Sequence, residues 1–245
     1  LISICISTRN RAPLLAQTLE SIEAKHYGDT EVVVLDDSST DGTTELLSRK
    51  PWVRAARIER DGGYRNDPAS VFNQLMAMAT GEILIQQSAE VVHLTPVARQ
   101  LAEASEPGVV VFPTVLNGRA DQLHRVAAAV AQGWMAVPDE WSGNGVGWID
   151  PEQVRPDGGA GVASPPVAAI VGGERIEIYT GAARAVPFFF AGAIQRDDWL
   201  RTGGYPENVE HGASDLHLAF RMVALGLRFR FLGGAIAYHV SHDKR

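Results

Sequence analysis

Apolar positions in the first 115 residues fall in short, nearly unbroken runs, each closed by small polar or turn-forming residues. Leu1–Ser7 is the first. Val32–Leu35 ends in Asp36, Asp37, Ser38 and Ser39, and further runs lie at Val53–Ile58, Gly81–Gln86 and Val109–Phe112. Apolar runs of this length bounded by turn formers suit strands of a parallel sheet buried on both faces. Between them the period changes. Pro13 marks a first helical turn, and Leu15, Leu19 and Ile22 recur at i, i+4 and i+7. Thr43–Ser48, Pro68–Thr80 and a segment opened by Pro96 read as further helices, with Asp41 placed to cap the Thr43 helix. Such alternation predicts right-handed crossovers and a doubly wound half through Phe112.

Between Asn117 and Pro187 the pattern weakens. Gln122–Gln132 is a candidate helix. Trp134, Trp141 and Trp148 stand among Gly, Pro and Asp, where they either stack on sugar rings or staple a loop to the core. Asp150–Pro166 is rich in Gly and Pro, and a mobile loop over about 150–187 is expected. Order returns with a strand at Phe188–Ala193, a helix at Arg196–Thr202 and a turn at Gly203–Glu207. Leu218, Met222 and Leu225 mark a buried helix. Arg228–Leu232 and Ala235–Val240 read as a strand pair broken at Gly233-Gly234.

The composition narrows the function. The 245 residues are 45% hydrophobic, enough for one domain with a substantial core. A formal charge of −7 argues against nucleic-acid backbone or an anionic bilayer as the main partner. The single cysteine, Cys5, excludes a disulfide framework and a cysteine metal site, and a reducing, cytoplasmic setting is expected. Leu1–Ser7 is too short for a signal peptide or a spanning helix, and the first residue is not Met, which leaves room for a longer parent chain. No G-x-G-x-x-G follows the first strand, against a dinucleotide-dependent dehydrogenase.

Candidate chemistry lies where the strands end. In open α/β sheets ligands bind beyond the carboxyl ends of the strands, which is where Ser7-Thr8-Arg9-Asn10 and Asp36-Asp37 fall. With these two stretches the chain resembles a family 2 glycosyltransferase with the GT-A fold. The resemblance implies a single α/β domain over 1–245, a Rossmann-like, mixed and mostly parallel sheet flanked by helices. Residues 1–115 would form a nucleotide-binding half and 116–245 an acceptor-binding half. In the family the acid matching Asp37 bonds the base or ribose, and the Ser7 and Arg9 positions flank the same base. A carboxylate suits the N3–H of uracil, a donor that must meet an acceptor in a dry pocket. Thr8, Asn10, Asp36, Arg65, Gln87 and Ser88 complete the implied donor site.

Two segments depart from the family pattern. Members usually carry Asp-x-Asp after the strand that follows Gly81; here those acids fall on Gln87, Ala89 and Glu90, and Glu90 alone keeps a carboxylate. The run Gln86-Gln87-Ser88-Ala89-Glu90 resembles a bacterial subgroup with Gln-Asn-Pro-Glu there. Phe72 precedes Asn73 where Arg-Asn is usual, and Arg65 is expected to supply that charge. A diphosphate leaving group needs positive charge, from a metal or from an arginine cluster; in a metal-free site Arg9 or Arg65 would carry it. Some GT-A enzymes use a late histidine as a ligand, so the resemblance implies a divalent cation, Mn²⁺ or Mg²⁺, on Glu90 with His239, imidazole favouring Mn²⁺. His242 and His93 are weaker candidates. Gly212–Leu218 resembles the family's Glu-Asp-x-Asp-Leu segment, which makes Asp215 the general base of an inverting transfer, or a helix cap, or both.

The expected activity is transfer of a sugar from a nucleotide donor, UDP-linked, to a hydroxyl of a glycan, a lipid-linked glycan or a metabolite. A lipid-linked acceptor leaves open a peripheral contact with a membrane; the sequence does not fix the acceptor or the oligomeric state. Two alternatives are a sugar-nucleotide pyrophosphorylase, whose Gly-rich, Arg-containing loop is replaced here by Ser7-Thr8-Arg9-Asn10, and a non-catalytic nucleotide- or sugar-binding domain.

Overall fold

The alternation seen in the first apolar runs becomes the two faces of one sheet. In the computed structural model, which describes residues 1–25, 28–60, 68–134, 146–149, 167–179, 190–207 and 214–242, β1 (Ile2–Thr8) lies between β2 (Thr30–Asp37) and β4 (Ile83–Ser88), with β3 (Val53–Ile58) outside β2, all parallel. Ile4, Ile6, Val32 and Val34 point to one side, where Leu15, Leu19 and Ile22 of α1 (Ala12–Ala24) meet them. Cys5, Val33 and Leu35 point to the other side, packed with Leu75 and Met76 of α3 (Pro68–Met78). This is the period-two strand against the 3.6-period helix that the sequence predicts. The short α2 (Thr43–Ser48) and α4 (Val97–Glu103, entered at Pro96) lie where the sequence predicts helices. Ser3 Oγ accepts a bond from Gly81 N at 2.7 Å, and a Cβ at Gly81 would stand 2.6 Å from that oxygen, so only glycine fits this entry to β4.

Beyond β4 the sheet departs from a doubly wound order. β6 (Val109–Gly118) does not join β4; β10 (Ala191–Gln195), from late in the chain, inserts between them and pairs antiparallel with both. Strand β10 begins three residues later than the sequence suggests, and Phe188 lies outside the described residues. Helices α6 (Arg196–Thr202) and α7 (Ser214–Ala224) follow as expected, and α5 spans Leu123–Ala131 after a 3-10 turn at Ala120–Gln122.

The last strand corrects the expected break. β11 is one element, Arg228–Val240, parallel to β6, with its register shifted between Leu232 and Ile236. The Gly233-Gly234 pair is therefore a bulge inside a strand, the usual meaning of glycine there. The first part of β11 pairs with β7 (Val146–Ile149) and the last part with β5 (Val91–His93). A break would have ended the sheet at Leu232; the bulge carries the strand on to His239.

The expected loop over 150–187 is also corrected in part. β8 (Val167–Val171) and β9 (Glu174–Tyr179) form a hairpin that extends the sheet along β6. Its turn, Gly172-Gly173, has φ of 57° and 81°, the left-handed pair that a two-residue hairpin requires. The 150–166 segment lies outside the described residues, as does Trp141. Trp134 packs against a third apolar cluster that includes Leu116, Val126, Ile176 and Tyr238, so for it the staple reading holds. Among the described residues no helix is long and apolar enough to cross a membrane.

Candidate active site

The parallel register sets Ser7 beside Leu35 and Ser88, and Thr8 beside Asp36, so the carboxyl ends of β1, β2 and β4 open at one edge. There Ser7, Thr8, Arg9 and Asp37, with Pro68, Val71 and Phe72 of α3, line a pocket of ≈ 140 Å³. Arg9 donates to the Asp37 carbonyl at 2.9 Å, tying the two strand ends together. Thr8 Oγ1 is buried in this wall with no hydrogen-bond partner among the described residues. Asp37 Oδ1 accepts from Arg60 Nε at 2.5 Å, an arginine that the sequence does not single out.

Not every expected donor residue faces this pocket. Asp36 is 1% exposed and is consumed by Arg57 Nη1 at 2.7 Å and Ser39 N at 2.9 Å, so it anchors the turn and offers no group to a ligand. Asn10 binds the same turn: its N–H donates to Ser39 Oγ at 2.9 Å and its Oδ1 accepts from Thr40 N at 2.7 Å. Both loops carry a non-glycine residue in the left-handed region, Asn10 at φ 50° and Ser38 at φ 57°, a strain that concentrates at ligand-binding ends. Asp41 serves two helices, accepting from Ala12 N and from Thr43 N. Gln87 is 2% exposed; its Nε2 donates to Val91 O at 3.3 Å and its Oε1 lies 2.7 Å from His93 Nε2. It braces the β4–β5 connection from inside, which corrects its assignment to the donor. His93, pushed down to about 3 by burial, is a core residue and no ligand candidate. Arg65 lies outside the described residues.

On the other side of β4, topology gathers what the sequence holds far apart. Antiparallel pairing sets His239 opposite Val91, and Val240 N donates to the Glu90 carbonyl at 3.0 Å. Glu90, His239 and His242 thereby present ligand atoms all within 4.8 Å of one another. His239 Nδ1 lies 2.8 Å from Asn117 Oδ1, an acceptor, so Nδ1 carries the proton and Nε2 keeps its lone pair. Burial, with His242 close by, lowers His239 to about 4, and the ring is neutral at pH 7. Phe190 packs on it with centroids 4.3 Å apart. One carboxylate and two imidazoles, one already oriented by an outer carbonyl, fit a divalent transition ion such as Mn²⁺. The fit raises His242 from a weaker candidate to a member of the group and adds Asn117, which becomes legible only once β11 is continuous.

The third group lies at the head of α7. Asp215 is raised to about 6 by burial, and Tyr205 is raised well above its usual value by its own burial first and by the Asp215 charge second. Tyr205 Oη accepts from Gln86 Nε2 at 3.0 Å, and its ring lies 5.2 Å from that of Phe72 in the wall of the pocket that Asp37 lines. Asp215 is thus within electrostatic reach of Tyr205, whose ring meets Phe72 in that wall.

Comparison with known proteins places these groups in context. The model of "Glycosyl transferase family 2" matches residues 3–128, just over half of the chain. An uncharacterized glycosyltransferase of Nostoc sp. is 30% identical over 83 residues, 34% of this chain and 26% of that protein. Among solved structures, the Pyrobaculum calidifontis mannosyltransferase PcManGT in complex with GDP-Man and Mn²⁺ aligns over 99% of this chain, with a TM-score of 0.58 and 21% identity. S. aureus TarS in complex with UDP-GlcNAc aligns over 100%, with a TM-score of 0.64 and 13% identity. The chain spans 57% and 59% of those two chains. They share its fold, the mixed α/β GT-A sheet flanked by helices.

Proposed function

The chain belongs to glycosyl transferase family 2, and on that premise we propose that it moves a sugar from a UDP-linked donor to a hydroxyl acceptor, inverting the anomeric carbon. The observation that carries the reading is one edge of the sheet with two complementary ends. The Asp37 pocket lies at the tips of β1 and β2, and the Glu90–His239–His242 group stands just past the end of neighbouring β4. A nucleoside diphosphate has the same two ends, a base and a charge that needs a cation.

Uracil is favoured over guanine by competition for Asp37. Arg60 already takes one lone pair of Oδ1 and stands beside it. The single N3–H of uracil needs one acceptor, whereas the N1–H and amino group of guanine engage both oxygens side by side, one of which Arg60 shares. Thr8 Oγ1 supplies a further polar contact in the same wall.

A divalent ion, when bound on Glu90, His239 and His242, supplies positive charge against the leaving diphosphate. The protein's own residues do the rest. Asp37 and Phe72 position the base, and Asp215 takes the proton of the attacking hydroxyl. A carboxyl near 6 is largely ionised at neutral pH yet more basic than an ordinary aspartate, which suits a general base. Residues 1–115 then act as the donor half and 116–245 as the acceptor half. PcManGT was solved with GDP-Man and Mn²⁺ and TarS with UDP-GlcNAc, which supports a nucleotide-sugar donor in general and leaves the base to this chain's own pocket. The direct test incubates purified protein with UDP-sugars and Mn²⁺ and follows UDP release. No release, with or without added glycan acceptors, would exclude the reading and favour a binding domain.

A further inference from the structure

Arg11 already holds the place a cation would take. Its Nε donates to Glu90 Oε1 at 2.9 Å, and its Nη2 lies 3.2 Å from His242 Nδ1. A guanidinium only donates, so Nδ1 accepts, and the proton of a neutral imidazole must sit on Nε2. That Nε2 lies 3.1 Å from Glu90 Oε1 and donates there. Neither nitrogen of His242 can then face a metal while Arg11 stays. Nδ1 is covered by the arginine N–H, and Nε2 gains a lone pair only if its proton moves to Nδ1, which the same N–H forbids. Glu90 Oε1 is likewise taken twice. A divalent ion set beside a fixed guanidinium would also face its full repulsion.

We propose that Arg11 and a divalent cation exchange on Glu90 and His242, and that the displaced guanidinium then binds the donor's diphosphate. The inference rests on the metal reading above. Room for the exchange exists: Arg11 lines an open cleft of ≈ 480 Å³ with Asn10, Pro13, Leu14, Thr40, Asp41 and His242. Its backbone stays fixed meanwhile, since Arg11 O accepts from Leu15 N at 2.8 Å in the first turn of α1. The cleft's own acid, Asp41, already accepts from Ala12 N and Thr43 N, which leaves a diphosphate as the better partner for a freed guanidinium. In a chain of charge −7 this arrangement uses one positive group twice, as a stand-in before the metal arrives and as a phosphate ligand afterwards. Metal and donor then bind cooperatively, because the ion releases the residue that the donor needs.

Calorimetry with MnCl₂ alone, and then with UDP on the Mn²⁺-loaded protein, tests both halves on wild type, Arg11→Ala, Arg11→Lys and His239→Ala. Without nucleotide, Arg11→Ala should bind Mn²⁺ about tenfold more tightly than wild type, since no charge-assisted bonds need breaking. UDP should then bind the loaded variant about tenfold more weakly, for lack of the bidentate phosphate contact. Arg11→Lys keeps the charge and loses the fork. Mn²⁺ affinity above wild type in that variant supports exchange, whereas wild-type affinity reduces the effect to bare repulsion and overturns it. Equal or weaker Mn²⁺ binding by Arg11→Ala overturns the exchange, and unchanged UDP affinity overturns the phosphate half. His239→Ala, which leaves Arg11 in place, should lose Mn²⁺; if it does not, the ion sits elsewhere and the proposal fails. If neither wild type nor any variant takes up Mn²⁺, even with UDP present, the metal reading itself falls and takes the exchange with it.

Discussion

Asn73 pairs its side-chain amide with both backbone polar groups of Tyr205, donating to the carbonyl at 2.9 Å and accepting from the N–H at 2.8 Å. One side chain thus mimics a strand rung and fastens the 203–207 turn to α3. Gly204, at φ 75°, makes room for it: a Cβ there would stand 2.6 Å from Asn73 Oδ1. Through this contact Tyr205 is held between Phe72, Trp199 and Gln86.

Removing the amide should therefore loosen the hold of α3 on the 203–207 turn. Asn73→Ala leaves the Tyr205 N–H and carbonyl without their partner, at a cost of about 2 kcal/mol for two bonds to a buried residue. Urea unfolding should show the loss with an unchanged m-value. Stability equal to wild type would mean that water replaces the rung and that the turn is held elsewhere.

The base pocket gives a selectivity test. UDP should raise the melting temperature more than GDP or ADP, by an amount that grows with ligand excess, about 2.7 kcal/mol at a hundred times Kd. Asp37→Ala should erase the difference between nucleotides. Arg60→Ala, which frees Asp37 Oδ1, should instead narrow the preference for UDP over GDP, because both oxygens could then meet the two donors of guanine. If Arg60→Ala leaves the ratio untouched, competition for Asp37 is not what selects uracil.

Gln87 separates the sequence resemblance from the structure. Position 87 aligns with a family carboxylate, yet the side chain is buried between Val91 and His93. Gln87→Ala should cost about 1 kcal/mol of stability, the usual worth of such bonds, and leave UDP affinity as it was. A selective loss of UDP binding in a protein of normal stability would return Gln87 to the donor site.

The first half of the fold was legible because each of its elements is local. The runs at Leu1–Ser7, Val32–Leu35 and Gly81–Gln86 and the helical spacing of Leu15, Leu19 and Ile22 decide strand and helix without reference to the rest. The later half depends on pairing between distant segments. That β10 divides β4 from β6, and that Gly233-Gly234 is a bulge, follow from which edges are open, which no window of sequence reports. The site divides in the same way. Asp37, Ser7 and Arg9 share one strand edge and could be grouped on sight. Arg60, Asn117 and Arg11 carry no signal of their own, being ordinary polar residues until the sheet sets them beside Asp37 and Glu90; His242, a weaker candidate by sequence, gains its place only there. The Gly172-Gly173 hairpin was within reach, since Gly-Gly between Val167–Val171 and the alternating Arg175–Tyr179 is a two-residue turn signal.

Asp215 links pH to both activity and stability. Its carboxyl is raised to about 6 from the ordinary 3.8 because burial disfavours the charge. As a base it must be ionised, so transfer should rise with pH through about 6 and then level. Asp215→Asn should cut transfer by about 10²-fold or more while UDP affinity stays close to wild type. For stability the sign runs the other way. A raised folded value favours the protonated form, a contribution present below the unfolded value and lost as pH rises through about 6. The Asn variant should therefore melt above wild type at about pH 8, with the gap closing near pH 4. A variant with near wild-type turnover would move the base to another acid, such as Asp197 or Glu207.

The metal group can be tested by asking whether its members act as one. If Glu90 and His239 hold the same ion, Glu90→Ala and His239→Ala should each abolish Mn²⁺ binding, measured by calorimetry. The double substitution should then lose little more, because ligands of one ion are coupled and their effects do not add. Asn117 provides a finer probe. Its Oδ1 fixes the His239 proton on Nδ1 and so aims Nε2 outward. Asn117→Ala should weaken Mn²⁺ by about tenfold, the range for losing an outer partner of a ligating histidine, without removing any ligand. Asn117 Nδ2 also donates to Glu177 Oε2 at 3.0 Å, so Asn117→Asp, which keeps the acceptor toward His239, should restore binding when paired with Glu177→Gln. EDTA should lower UDP affinity in wild type and leave the Glu90→Ala, His239→Ala pair unmoved. Additive losses from Glu90 and His239 would point to two separate sites, and UDP affinity indifferent to EDTA would assign the diphosphate charge to arginine alone.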